Sequence, residues 1–360
     1  MNNRDVTVVS GFFQPGRQAS LPRVSIPDVT GASGKADAGV KVGQEHARGP
    51  TGLPHRAASV PRSAPMTVLT DLARQSQRRL GSALRARVAG DDATERAKVI
   101  WGREGERWFT PQDPVWRVHA DAAMFPGGVA ALLLQSLHPL AMAGVAGHSG
   151  YRGDPWGRLQ RTSHFLATTT FGTVDDAQAA IERVRGIHER VRGKDPLGRP
   201  YRADDPALLR WVHVAEAHSF LAAFQRYAVE PLTDAQADTY VAQSALVAAR
   251  LGADDLPTTV AELDASLEAH RPVLEATEEA RAAARFLLLD PPLPWAARPG
   301  YGLIASGGVA VLPHWARRAL RLPAGRPAAV LAGGAGAVGT RAVRWAMAGV
   351  AEERQVAAGS

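Results

Sequence analysis

Apolar residues recur at intervals of three and four positions from about Val68 to near the C-terminus. This spacing places them on one side of an α-helix, and repeated strand-like alternation is missing. Short Pro and Gly breaks, such as the one at Pro126, separate the periodic segments. The pattern predicts an all-α fold with one large helical domain.

The segment 128–144 is apolar on nearly every side, which predicts a helix buried in the middle of the domain. A cap or kink is expected at Pro139, because proline cannot continue the hydrogen-bond pattern of a helix. The next helix should begin after Asp154 and end near Gly172.

Residues typical of helix ends also predict where the later helices begin and end. Thr173 is a predicted N-cap, and the acidic residues after it favour the positive N-terminal end of a helix. This helix should end at Gly193. A long helix should begin at Asp205-Pro206. Further amphipathic helices are predicted over residues 233–250, 257–271, 275–289, 293–320 and 326–350.

The chain divides into three parts by composition. Residues 1–65 are rich in Pro and Gly and have no sustained periodicity, which predicts a disordered leader or extension, with Met66 as the true start. Residues 66–325 should form the helical domain. Residues 326–360 are expected to be a helical or flexible C-terminal tail.

The composition, with 45% hydrophobic and 21% charged residues, is that of a soluble globular chain. No apolar run reaches the length of about 18 residues that a membrane span needs, and no secretory signal is evident, so a cytoplasmic location is expected. The absence of cysteine excludes disulfides, iron–sulfur clusters and thiolate nucleophiles. A metal or cofactor must therefore be held by His, by carboxylates or by packing.

Two features of the sequence suggest that the protein binds a nucleotide or a nucleic acid, but neither is sufficient evidence for it. The net charge is +7, yet the arginines are interspersed with acidic residues and no nucleic-acid motif is present. Residues 334–339 match the Gly-x-Gly-x-x-Gly dinucleotide fingerprint. Only 21 residues follow Gly339, too few for the strand and acidic residue that such a site requires. A small-residue helix or a loose tail is expected there.

His188 is the best placed of the 11 histidines to bind a metal. It shares one helix face with Ile181, Val184 and Val191, so its imidazole should point inward. A neutral imidazole in an apolar wall is the usual proximal ligand of non-covalent haem. The same stripe suits a core histidine that bonds a backbone carbonyl, and the spacing leaves both open.

Positively charged residues accompany this histidine. Arg185 lies one turn before it, and Arg158, Arg161 and Thr162 share one face of the preceding helix. Such a face could bind the propionates of haem or a polarised dioxygen. It could equally be a surface face whose arginines are solvated. His213 could line a cofactor pocket or bond Glu216. A di-iron site is excluded, because no Glu-x-x-His occurs.

Several motifs together resemble the MpaB/rubber-oxygenase family over about residues 100–320. They are the runs Trp116 to Asp121, Leu133 to Pro139, Asp154 to Thr162 and Pro200 to His213. The resemblance implies a globin-like core that binds haem b and uses dioxygen to cleave a carbon–carbon double bond. It also implies that His188 ligates the iron, with Arg185 as the arginine one turn before it, and that Arg158, Arg161 and Thr162 form the distal catalytic group. Arg185 and His213 are the further candidate cofactor-binding residues on their helix positions.

The chain departs from the family pattern at Arg161, where rubber oxygenase has a lysine that can ligate the iron. Because arginine stays protonated, an open or water-bound distal position is expected. A hydrophobic, isoprenoid-like small molecule is the expected substrate, together with dioxygen, and the need for an electron donor stays open. Peroxidase-like oxidation and a non-enzymatic haem-binding or helical interaction protein are the alternatives.

Overall fold

A computed structural model describes residues 74–84, 86, 90, 93–148 and 153–358, and almost every element in them is an α-helix. The all-α prediction is therefore confirmed, whereas the leader and Met66 lie outside the described residues. In chain order the elements are α1 (74–84), α2 (Ala93–Gly102), α3 (Pro114–Ala120), α4 (Met124–Gln135), α5 (Pro139–His148), α6 (Pro155–Phe171), α7 (Val174–His188), β1 (Arg192–Lys194), β2 (Pro200–Arg202), α8 (Pro206–Tyr227), α9 (Asp234–Leu251), α10 (Val260–His270), α11 (Glu278–Leu288), α12 (Arg298–Val311), α13 (His314–Ala319) and α14 (Arg326–Ala358).

The three helices that carry the candidate site residues begin at the capping residues that the sequence predicted. The Asp154 side chain accepts a hydrogen bond from the Gly157 backbone at the start of α6. The Thr173 hydroxyl caps α7, and the Asp205 carboxylate accepts two backbone N–H groups at the start of α8. These side chains satisfy amide donors that the first turn of a helix leaves without partners.

The predicted apolar central helix is broken before Pro139, as expected. It forms α4 and α5, which are bent by 107° relative to each other. α4 packs against α8 and α12. The approach to α8 is close, because a side chain at Gly127 would lie 3.1 Å from the Phe220 ring. Within the described residues no single helix is long and apolar enough to cross a bilayer, and α4 and α5 pass that test only as a bent pair.

Two predicted helix boundaries were wrong. α7 ends at His188 rather than at Gly193, because Gly193 pairs with Tyr201 in the β1–β2 hairpin. The Tyr201 ring lies so close that only glycine fits opposite it. The segment 293–320 is not one helix, since α12 ends before Leu312-Pro313 and α13 follows.

The glycines of the false dinucleotide fingerprint lie within α14. Gly336 packs against Gly307 of α12, and a side chain at either position would collide with the facing backbone. Gly339 lies equally close to Leu303 and Ile304. These glycines therefore allow two helices to cross closely, and the prediction of a small-residue helix is confirmed.

The core is centred on α3, α4, α8 and α9. Its largest fully buried side chains include Trp211, Tyr240 and Phe171. The Phe171 ring packs with Trp101 and Trp116, with ring centroids 5.1 and 4.8 Å away. This aromatic cluster fixes the C-terminal end of α6 against α2 and α3.

Candidate functional site

His188 is the last residue of α7 and is partly buried. Its Nδ1 atom is shielded from solvent and has no hydrogen-bond partner in the described part of the chain. Burial lowers the pKa of His188, and the nearby Asp204 carboxylate only partly offsets this effect. The imidazole is therefore neutral at pH 7, which is the form that binds a metal.

His213 on α8 is a second buried imidazole without a complete set of partners. Its side chain is 8% exposed, and its Nε2 atom has no hydrogen-bond partner among the described residues. Burial lowers the pKa of His213 to about 4, so this ring is also neutral. Buried polar atoms without partners are uncommon in folded proteins, and each one requires an explanation.

The face of α8 that carries His213 is turned toward α3, which in turn contacts α6. His213, Glu216 and Phe220 share this face through their spacing of three and four residues. The Phe220 ring centroid lies 5.7 Å from that of His119 on α3, and His119 Nδ1 is 2.8 Å from the Thr170 hydroxyl of α6. His119 therefore links this face of α8 to the C-terminal end of α6.

His188 lies toward the N-terminal end of α8, the helix that carries His213. The Asp204 carboxylate that influences the pKa of His188 directly precedes Asp205, the N-cap of α8. His213 stands about two turns into that helix. α6 and α7 pack together and are joined by only two residues, so they run antiparallel. The N-terminal half of α6 therefore lies toward the His188 end of α7.

The predicted distal residues occupy this N-terminal half of α6. Arg158 is partly buried, whereas Arg161 and Thr162 are exposed. Arg161 pairs with Asp154, with Nη1 and Oδ2 3.2 Å apart. Arg185 on α7 is exposed and has no ion-pair or hydrogen-bond partner in the described ranges, so it is available to an anion. The structure brings these cations to one end of a helical pair.

Glu216 and Tyr240 are polar groups of this region that the sequence analysis did not assign to the site. Burial raises the pKa of Glu216 to about 7, although Gln135 donates a hydrogen bond to its carboxylate. Burial and the nearby Glu216 raise the pKa of Tyr240, whose hydroxyl has no partner in the described structure. The sequence signal was the position of Glu216 on the same helix stripe as Leu209, His213 and Phe220. Its carboxylate accepts a hydrogen bond from Gln135, while the Nε2 atom of His213 has no partner among the described residues.

The described residues do not form a site for a bare metal ion, since they contain no group of three or more His, Asp or Glu side chains that could hold one. The neutral imidazoles of His188 and His213 lie on separate helices, α7 and α8.

One comparison with known proteins identifies a family. The model described as "ER-bound oxygenase mpaB/B'/Rubber oxygenase, catalytic domain" matches residues 116–349. The match extends from α3 into α14 and includes every candidate site residue. No curated protein and no solved structure matches the chain.

Proposed function

Because the chain belongs to the family of oxygenase catalytic domains that includes mpaB/B' and rubber oxygenase, we propose that it is a haem b-dependent oxygenase. Family membership by itself makes the chain an oxidoreductase of the oxygenase class. The haem, the ligand residues and the substrate class are our proposal. The proposed substrate is a hydrophobic, isoprenoid-like molecule with a double bond, and dioxygen is the oxidant.

The observation that carries the proposal is the orphaned imidazole of His188. Its neutral state suits iron, and the buried Nδ1 without a protein partner indicates that the ring is not there to complete a hydrogen-bond network. Haem iron needs one protein ligand of this kind, because the porphyrin supplies its own nitrogen donors. The residues present therefore fit haem.

The other site residues have roles that follow from their chemistry. Arg185 would pair with a propionate, since guanidinium and carboxylate groups form strong charge-assisted hydrogen bonds. Arg158, Arg161 and Thr162 would donate hydrogen bonds on the side where dioxygen is held. His213 would line the pocket from α8. The chemistry that haem supplies when bound is the activation of dioxygen.

Apolar side chains beside these groups support a hydrophobic substrate. Val184 lies one turn before His188, and Phe165 lies one turn after Arg161. Val212 is adjacent to His213. All three are only partly buried, so apolar surface remains accessible next to the polar groups. Such surface binds an apolar molecule and excludes water from the reacting atoms.

The absorption spectrum of the purified protein tests this proposal. Protein produced with ample haem should show a Soret band, and His188→Ala should lose it. His218→Ala is the matched control, because His218 lies on the same helix as His213 but faces Asp264 at 3.7 Å near the surface. A colourless wild-type protein, or an identical spectrum in His188→Ala, would contradict the assignment of His188.

The oxidant is tested by isotope labelling. Turnover of an unsaturated isoprenoid under labelled dioxygen should place the label in the product. Label entering only from peroxide would instead indicate peroxidase-like oxidation. Stoichiometric haem without turnover of any unsaturated lipid would favour a non-enzymatic haem-binding protein.

A further inference from the structure

One long segment near the C-terminus carries arginines and no acidic residue. Residues 291–351 contain seven arginines and no Asp, Glu or Lys, so they carry a formal charge of +7. This equals the net charge of the whole protein. The prediction that arginines are interspersed with acidic residues is therefore wrong for this segment. The segment includes α12, α13 and most of α14. Charge segregation on this scale favours an anionic partner.

The same segment exposes large apolar side chains on one face of α14. This face, called the α14 outer face below, consists of Val330, Leu331, Val338, Arg341 and Trp345. Val330 and Leu331 are 70% and 75% exposed, and Val338 and Trp345 are about half exposed. Between residues 326 and 349 the exposed positions hold only apolar residues, glycine and arginine. A solvated helix face would instead carry mixed charges and amides.

A cleft borders the α14 outer face where the end of α8 meets α14. Its volume is about 610 Å³, and its lining includes Arg226, Tyr227, Arg341, Arg344 and Trp345. Arg344 is neutralised by a bidentate pair with Asp121. Arg341 has no partner among the residues that the structure describes, and Arg226 stacks over the Tyr227 ring without a carboxylate. Two guanidinium groups thus stand uncompensated beside exposed apolar side chains.

We propose that the α14 outer face docks the protein on the surface of an anionic lipid bilayer. A helix lies in a bilayer interface when aliphatic and tryptophan side chains enter the acyl boundary and arginines reach the phosphates. The α14 outer face has each of these parts. The inference is independent of haem and of the proposed oxygenase reaction.

Other partners fit this face less well. A two-fold dimer through the α14 outer face would place Arg226 and Arg341 of both copies close together, with no acidic residue in residues 291–351 to separate them. A nucleic acid would accept the arginines but would leave Leu331 and Val338 exposed to water. A bilayer satisfies both the charge and the apolar surface.

Flotation of the full chain with vesicles tests the proposal. We expect binding to vesicles of phosphatidylcholine mixed with phosphatidylserine, little binding to phosphatidylcholine alone, and release as ionic strength rises. Arg341→Gln should weaken binding about fivefold, which is the usual contribution of one basic residue near an anionic surface. Leu331→Ser combined with Trp345→Ser should weaken it by about tenfold or more, because both apolar anchors are lost.

Two matched variants serve as controls. Arg281→Gln removes an exposed arginine from α11, and Val273→Ser removes an exposed aliphatic side chain near α10. Both should bind vesicles as the wild type does. The proposal is overturned if the full chain does not float with anionic vesicles, if it binds both vesicle types equally, or if the α14 variants match the controls. A fall in mass by light scattering in the double variant, without any vesicle binding, would identify the face as an interface between copies.

Discussion

The buried polar groups of α7, α8 and α9 and the outer face of α14 lack partners in opposite ways. In the first region, polar atoms are buried without partners in the part of the chain that the structure describes, including His188 Nδ1, His213 Nε2 and the Tyr240 hydroxyl. In the second, apolar side chains such as Leu331 and Trp345 are exposed to water without a cover. A folded chain normally avoids both situations, because each costs free energy.

This comparison shows how two kinds of binding site can be found without a bound ligand. Buried polar atoms without partners indicate a missing group that is itself polar or metallic and is enclosed by the protein. Exposed apolar residues among arginines indicate a partner that is large, apolar and anionic. The first inference leads to a cofactor, and the second to a surface.

The largest expected difference is between Trp211, a core tryptophan on the helix that carries His213, and Trp345 of the α14 outer face. Trp211 is fully buried on α8, and its indole N–H donates to the Gln135 carbonyl at 3.2 Å. Trp211→Ala should reduce the free energy of unfolding by about 4 kcal/mol, because it leaves a cavity. Trp345→Ala should cost about 1 kcal/mol or less, since its ring is half exposed. Urea unfolding of both variants measures this, and similar losses would mean that Trp345 is a core residue rather than part of a docking face.

A second prediction concerns the pH dependence that Glu216 gives to the buried region. Burial raises the pKa of Glu216 to about 7 from 4.5, so the folded protein holds this proton more tightly than the unfolded chain. The stability from that proton is complete below the unfolded pKa and declines as the pH rises toward the folded pKa. Glu216→Gln should therefore stabilise the protein by about 2–3 kcal/mol near pH 8 and by about zero near pH 4.

Urea unfolding of wild type and Glu216→Gln at both pH values tests this sign. The buried histidines titrate in both proteins, so their contribution cancels from the difference. Glu182→Gln, on the exposed side of α7, is the control and should change stability little at either pH. A Glu216→Gln variant that is less stable than wild type near pH 8 would show that the carboxylate is ionised and paired.

Much of the fold was predictable, because helix starts are local features. Asp154, Thr173 and Asp205 cap their helices with their own side chains, and no tertiary contact is needed to recognise them. The end of α7 was not predictable in the same way. Gly193 looks like a helix stop, but its role depends on Tyr201, which pairs with it from the next strand.

The candidate site was predictable only where side chains share a helix. The spacing identified Arg185 and His188 on α7 and predicted an inward-facing imidazole. It could not identify Tyr240 as a neighbour of Glu216, because that relation depends on the packing of α9 against α8. Nor could it show that Arg161 pairs with Asp154 at the surface. Burial and pairing between helices appear only after the chain has folded.

The smallest expected effect compares two tyrosine hydroxyls, one from each region. The Tyr240 hydroxyl is buried without a partner in the described ranges, whereas the Tyr227 hydroxyl, beside α14, donates to the Gly307 carbonyl at 3.0 Å. Tyr240→Phe removes a group that folding desolvates without compensation, so stability should stay the same or rise by about 1 kcal/mol. Tyr227→Phe should cost about 1 kcal/mol, because it breaks a formed hydrogen bond. Urea unfolding at one pH is sufficient. If both variants lose stability equally, the Tyr240 hydroxyl has a partner. This region would then hold fewer unsatisfied polar groups that could bind a ligand.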